Sequence, residues 1–379
     1  MKKPLFFSAY ILFLIFVTIF SYTFIDANLI YLKKIYSGFS TQNRLMTTIF
    51  YTILLIIFFL FYLLFLRSAE KKRLTLVDVK LLIGVAIGIL IFSYPAIVSY
   101  DIFNYLMSAK VLYFYRENPY IVMPIEFLGD PFLLFTHAAN KYALYGPFWL
   151  ILSGLPFLLG FGNFILALLS FKLFIILFYL GTIILIWNIC KNVYQTVFFA
   201  LHPLVLIETL IGSHNDVVMM FLVLLSFYLV MRKKVIWAIV ALLLSILIKY
   251  ATLFLIPVFI YTVWKMSFRK KIEWENIFMY SWISMMVIFF LSPLREEMYP
   301  WYAIWFLVFA SFLTHKKFIF FFSLAFSFGL LLRYIPFMLV GTHFGITPPI
   351  KVVVTLFPPV LVLLYLGIKR KLWSKKIFQ

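Results

Sequence analysis

The stretch SYDIFNYLMSAKVLYFYRENPY (99–120) follows a long apolar run and places a carboxylate, Asp101, where that run ends. Asp101, Asn104, Tyr105 and Ser108 recur at helical spacing and so share one face of a short helix. Asn118-Pro119-Tyr120 then turns the chain. Further on, His214-Asn215-Asp216 closes a second apolar run, Lys249 interrupts a third, and Arg295, Trp301 and Tyr302 occupy a polar break before a fourth. An acid of this kind can take a proton from an attacking hydroxyl, and nearby cations can hold a departing anionic group. Simpler readings exist for each residue. Ser99 and Asp101 are both good helix caps, and His214-Asn215-Asp216 also suits a helix start. Lys249 suits a snorkelling anchor. Arg295 suits a local pair with Glu296 or Glu297. Glu208, inside an apolar run, either meets substrate or pairs with Lys172 of the preceding run.

The elements that would carry these groups are membrane helices. Of the 379 residues, 65% are hydrophobic and 12% charged, and apolar runs of spanning length recur throughout, which is far from soluble usage. The net charge of +20 resides in short basic clusters between the apolar runs, a pattern of membrane topology rather than of nucleic-acid binding. The lone Cys190 excludes an intramolecular disulfide and offers no metal pattern. Met1-Lys2-Lys3 before an apolar run resembles a signal peptide, but no small-residue cleavage site follows, so the run reads as a retained first helix.

The expected fold is all-α and polytopic, with about 12 transmembrane helices forming one integral-membrane domain over 1–379. Spans are expected near 5–25, 45–66, 79–98, 163–188, 194–212, 217–231, 235–248, 250–264, 274–293, 303–315, 318–338 and 351–368. Within this domain, 1–78 supplies two N-terminal spans, 79–305 a catalytic module and 306–379 the C-terminal spans. The apolar segment 145–159 is placed in the interface as part of a large outer loop with short amphipathic helices, because a crossing there would put Arg232-Lys233-Lys234 outside. Runs of about fourteen residues on either side of Lys249 rise only about 21 Å, less than the roughly 30 Å core, so Lys249 is expected in a recess. Basic clusters then lie inside with both termini, and Asp101, Tyr145, His214, Asp216, Lys249, Arg295 and Tyr302 gather at the outer face.

The motif DIFNYLMSAKVLYFYRENPY resembles the first outer-loop motif of the GT-C superfamily of membrane glycosyltransferases, in its polyprenyl-phosphate-mannose-dependent branch, through Asp101, Tyr105, Lys110, Asn118, Pro119 and Tyr120. Tyr145-Gly146-Pro147, PLVLIETLIGSHND (203–216) with Glu208, His214, Asn215 and Asp216, Ile248-Lys249-Tyr250 and Pro300-Trp301-Tyr302 are similar to later family elements and occur in family order. Ser108-Ala109 stands where many relatives carry Asp-Gly. The resemblance implies an inverting transfer of a sugar, most simply mannose, from polyprenyl phosphate to a lipid-linked or cell-envelope glycan at the extracytoplasmic face of the cell membrane. Asp101 would be the base. Tyr105, Lys110, Asn118, Tyr120, Tyr145, Glu208, His214, Asn215, Asp216, Lys249, Arg295, Trp301 and Tyr302 would bind substrate. No metal is generally required in that branch, and two carboxylates with one His make a thin set for a divalent cation. A lipid transporter or flippase, and a lipid-diphosphate-dependent glycan ligase or polymerase, are the other functions these residues suit.

Overall fold

The computed structural model describes residues 3–26, 28–29, 38–294 and 296–377, and these contain helices and turns and no strand. The helices that position the site are, in order, α1 (Leu5–Phe24) and α2 (Arg44–Glu70), α3 (Leu76–Leu90) and α4 (Asp101–Tyr113), then α5 (Pro147–Leu158), α6 (Phe164–Cys190), α7 (Val193–Ala200) and α8 (Pro203–Ile211). They continue with α9 (Asp216–Met231), α10 (Val235–Ile246), α11 (Tyr250–Ser267), α12 (Trp274–Leu294), α13 (Pro300–Leu313), α14 (Lys317–Val340) and α15 (Thr347–Lys369).

A helix or bent helix pair stands at every expected span, but the expected dozen is not met in length. Among the described residues, seven helices (α1, α2, α6, α11, α12, α14 and α15) are long and apolar enough to cross a membrane, or eight if α7 and α8, bent by 50°, form one span. The others are short for a local reason. α3 has 15 residues and stops before Pro95, whose predecessor Tyr94 is extended at φ −79°, ψ 125°, as a residue preceding proline prefers. α10 has 12 residues, about 18 Å of rise against a core of roughly 30 Å. Lys249 itself is extended at φ −147°, ψ 132°, which rules out one continuous helix through 235–264. α5 also has 12 residues, short for a crossing, as the interfacial reading of 145–159 requires.

The break between α7 and α8 is built by sequence. Pro203 has no N–H to give the preceding turn, and carbonyls freed in an apolar interior need other donors. Buried tyrosines supply them. The Tyr62 hydroxyl of α2 donates to the Phe198 carbonyl at 2.8 Å, and the Tyr179 hydroxyl of α6 donates to the Ala200 carbonyl at 2.5 Å. The His202 Nδ1 accepts from the Leu204 N–H and caps the second segment. The last five residues of α8, Ile207–Ile211, form a π-turn, a geometry frequent at functional sites.

Two ionisable residues take roles other than those expected. Lys172, in α6, is buried and donates to the carbonyls of Leu90 and Ser93. It therefore serves the unsatisfied C-terminal end of α3 and not Glu208. Arg333, whose place near the end of an apolar run suits a snorkelling anchor, is instead 2.8 Å from Glu297, which also receives Lys351 at 3.3 Å. This ties the loop before α13 to α14 and α15.

Candidate active site

Three chain breaks converge: the start of α4, the turn between α8 and α9, and the Lys249 break with the start of α13 beside it. The first brings Asp101. The Ser99 hydroxyl accepts from the Asp101 N–H at 3.1 Å, and the N-cap position falls to Tyr100, with no side-chain capping bond, so Asp101 is the first helical residue and not the cap. Among the described residues no hydrogen bond to the Asp101 carboxylate is found. Its nearest charged partner is the His214 Nε2, 3.9 Å away, beyond hydrogen-bond distance. The side chain is 24% exposed. Burial raises the pKa of Asp101, while His214 and Lys249 act in the opposite direction and Asp216 and Glu296 reinforce the rise.

The second break brings the His-Asn-Asp group. After the π-turn, the His214 N–H returns to the Glu208 carbonyl at 3.0 Å, and Ser213 takes a left-handed φ of +55°, uncommon for a non-glycine residue. The His214 ring is buried, with Nδ1 3.1 Å from both the backbone oxygen and Oε2 of Glu208. A Cβ on Gly212 would stand 2.8 Å from that ring and 2.9 Å from Val98, so only glycine lets the imidazole lie back against the turn. Trp301 stacks on it at 4.0 Å and 13°. Burial lowers the pKa of His214, but Glu208, Asp101 and Asp216 outweigh it and the net direction is upward. Asn215 is wholly buried, yet among the described residues its side-chain oxygen and nitrogen make no hydrogen bond, nor does the Ser213 hydroxyl. Buried polar atoms of this kind cost free energy unless something occupies them.

The third break brings the cation. Lys249 Nζ is 2.7 Å from Asp216 Oδ2, and the Trp305 indole N–H donates to Asp216 Oδ1 at 2.6 Å. Asp216 is wholly buried, whereas the Lys249 side chain is 17% exposed. An ammonium has three donors, so Lys249 retains capacity toward a ligand. Tyr302 stacks on Trp305 at 4.2 Å and lies under Lys249 at 5.3 Å, and its hydroxyl donates to Glu296 at 3.2 Å.

The residues of the loop between α4 and α5 act mainly as scaffold. The Asn118 side chain accepts from the Tyr120 N–H at 3.0 Å, and the Tyr120 hydroxyl donates to the Tyr145 carbonyl at 2.7 Å. Next in chain, the N–H groups of Gly146 and Phe148 donate to the carbonyls of Ile248 and Leu247, each at 3.0 Å. A Cβ at Gly146 would fall 2.1 Å from the Leu247 oxygen. The Gly-Pro turn is thus seated directly on the residues before Lys249. Tyr105 is buried against Tyr145 and Trp149 at 4.7 and 4.9 Å, and its hydroxyl accepts from the Asn215 N–H at 3.4 Å.

Of the residues chosen from sequence, Asp101, Tyr105, Tyr145, Glu208, His214, Asn215, Asp216, Lys249, Trp301 and Tyr302 come together. Asn118 and Tyr120 hold the loop one step away. Lys110 is not turned to this group: it is 2.7 Å from Asp130 and lies over the Phe132 ring at 4.0 Å, while the Tyr115 hydroxyl also donates to Asp130. Arg295 lies outside the described residues. Sequence reasoning missed Trp305 and Tyr334. Trp305 follows Trp301 at helical spacing inside an apolar run and reads there as core. Tyr334, beside the ionisable Arg333, donates to Glu208 Oε1 at 3.0 Å.

A chain that is all-helical among its described residues, with several helices of spanning length and polar groups gathered around one carboxylate and one cation, has the form of a membrane enzyme. Over residues 12–265 it matches the family model described as alpha-(1->6)-mannopyranosyltransferase, N-terminal domain, of the MptA/B family. The chain belongs to this family of GT-C-type membrane mannosyltransferases, which bears out the resemblance carried by the Asp101, Asn118–Tyr120 and His214–Asp216 motifs. No curated protein and no solved structure matches it.

Proposed function

We propose that the protein transfers mannose from polyprenyl phosphate to a glycan or glycolipid acceptor at the extracytoplasmic face, by a single inverting displacement with Asp101 as base. The observation that carries this reading is the difference between the acids. Asp216 is committed to Lys249 and Trp305, and Glu208 to Tyr334 and His214. Asp101 is partly exposed, and among the described residues its oxygens make no hydrogen bond. It is the acid free to meet an incoming hydroxyl.

In the reaction, Asp101 takes the proton of the acceptor hydroxyl as that oxygen bonds to the anomeric carbon. The bond from that carbon to the phosphate oxygen breaks, and its electron pair leaves with the phosphate. Lys249, aimed by Asp216, stabilises the departing anion. Asn215 and Ser213 offer their unspent donors and acceptors to sugar hydroxyls, with Trp301 and Tyr302 as stacking walls. With one free acid the displacement is direct, so an α-linked product, as the family description names, requires a donor of β configuration. A lipid-borne donor suits a site opening at the bilayer boundary.

The donor is tested by offering the purified protein labelled polyprenyl-phosphate mannose or labelled nucleotide-linked mannose, with membrane glycolipid acceptors. Label should move from the lipid alone and appear in an α-linkage. Direct transfer from the nucleotide sugar, or retention of configuration, contradicts the proposal.

A further inference from the structure

We infer that Tyr334, Glu208 and His214 form a buried positioning relay that fixes the Asp101 carboxylate for reaction, and that α14, outside the region matched to the family, thereby completes the site. The inference rests on the reading of Asp101 as the base. The Tyr334 hydroxyl reaches Glu208 Oε1 at 3.0 Å. The other carboxylate oxygen, and the backbone oxygen of the same residue, both lie 3.1 Å from His214 Nδ1. The opposite nitrogen, Nε2, makes no hydrogen bond among the described residues and lies 3.9 Å from Asp101 Oδ2.

The parts fit one purpose. The Glu208 carbonyl bonded to Nδ1, with the negative Glu208 carboxylate 3.1 Å from the same nitrogen, favours the proton there, so Nε2 is the end presented to Asp101, and the partner of one ring nitrogen determines what the other does. The π-turn is what lets one residue, Glu208, offer both its carbonyl and its carboxylate to the same nitrogen. Trp301 covers the ring face at 4.0 Å, and Gly212 leaves room behind it. His202 shows the contrast. It is equally buried, but it caps α8 with Nδ1, and no acid is paired with it among the described residues.

The charged groups around His214 are Glu208 from α8, Asp101 from α4 and Asp216 from α9, and all three favour its protonated form against burial. Lys249, Asp216 and Glu296 act with it on Asp101. A protonated His214 holds one Asp101 oxygen toward itself, keeps the carboxylate ionised and leaves the other oxygen for the acceptor hydroxyl. No proton travels along the relay during transfer, because the hydroxyl proton stops at Asp101.

The test measures kcat and KM across pH for His214→Gln, Glu208→Gln and Tyr334→Phe, with Asp101→Asn in parallel. Removing the imidazolium, or the carboxylate that sustains it, should move the acidic limb of the kcat/KM profile to higher pH. It should also lower kcat roughly tenfold or more through lost orientation, with KM little changed. Tyr334→Phe, which deletes one hydroxyl and keeps the ring, should shift the limb in the same direction by less, and it carries the test if the buried variants fail to fold. An unmoved acidic limb, or an effect confined to KM, overturns the relay. The two failures are distinguishable. An active Asp101→Asn enzyme removes the base itself, whereas an inactive one beside wild-type profiles for the other three variants removes the relay alone.

Discussion

Asp101 is poised between two opposing influences: burial that favours the neutral acid, and His214 with Lys249 that favour the carboxylate. Its net shift is upward, and a base works only when ionised. The rate should therefore fall as pH drops through a value above the ordinary aspartate range. Lys249→Gln removes a charge that holds Asp101 down, so the acidic limb should rise further, and the loss of the phosphate contact should lower kcat/KM at every pH. A pH–rate series on the two proteins checks the sign, and a limb that moves to lower pH contradicts it. Trp305→Phe probes the partner side. It strips one donor from the wholly buried Asp216 carboxylate, and leaving such a group short of a partner costs about 1–3 kcal/mol. The melting temperature in detergent should drop, and an unchanged value would show that Asp216 draws its support from Lys249 alone.

At the scale of elements, the site depends on how the outer loop is seated on the Lys249 break. Gly146 donates to Ile248, and its α-carbon faces the Leu247 carbonyl with no room for a methyl group. Gly146→Ala must displace either the loop or the segment carrying Lys249. A displacement near 1 Å in a catalytic constellation can cost about 100-fold, so kcat/KM should fall at least about tenfold. Gly84→Ala is the control, since a methyl group there meets nothing within 4 Å and a helical alanine is favourable. Equal activity of the two variants would deny the seating its role. The sequence made much of this level legible. Apolar runs located the long helices, the basic clusters argued for breaks where breaks occur, and Tyr145-Gly146-Pro147 was singled out as a motif. It could not show the π-turn around Glu208, whose signature is a backbone register and not a residue type. Nor could it pair Lys172 with the end of α3, because both partners there are main-chain carbonyls. Lys110 sits in the motif at the right spacing, but spacing does not reveal that Asp130, twenty residues on, claims it.

For the whole molecule, the helices gather the residues of the candidate site from 101 to 334, beyond the 12–265 matched to the family. Trp305 and Tyr334 were hard to foresee because an aromatic residue in an apolar run reads equally as core, belt or site. Fewer helices reach spanning length than the twelve expected for a related reason: periodicity and hydropathy find helices, whereas spanning length must be uninterrupted, and Pro95, Pro203 and the extended Lys249 interrupt it. The proposed sidedness has a direct consequence. In a Cys190→Ser background, Glu117→Cys, on the exposed outer loop, should react with an impermeant maleimide on intact cells. Lys233→Cys, exposed in the α9–α10 turn, should react only after permeabilisation. The reverse pattern would put the site on the cytoplasmic face and exclude the proposed topology.

The central claim is that one partly exposed acid activates the acceptor. It is tested most directly by the single-turnover rate of mannose transfer from labelled polyprenyl-phosphate mannose, compared between the wild-type protein and Asp101→Asn, both purified and equally monodisperse. Loss of a general base should slow transfer by about 100-fold or more with donor binding retained. Transfer by Asp101→Asn near the wild-type rate would contradict the account.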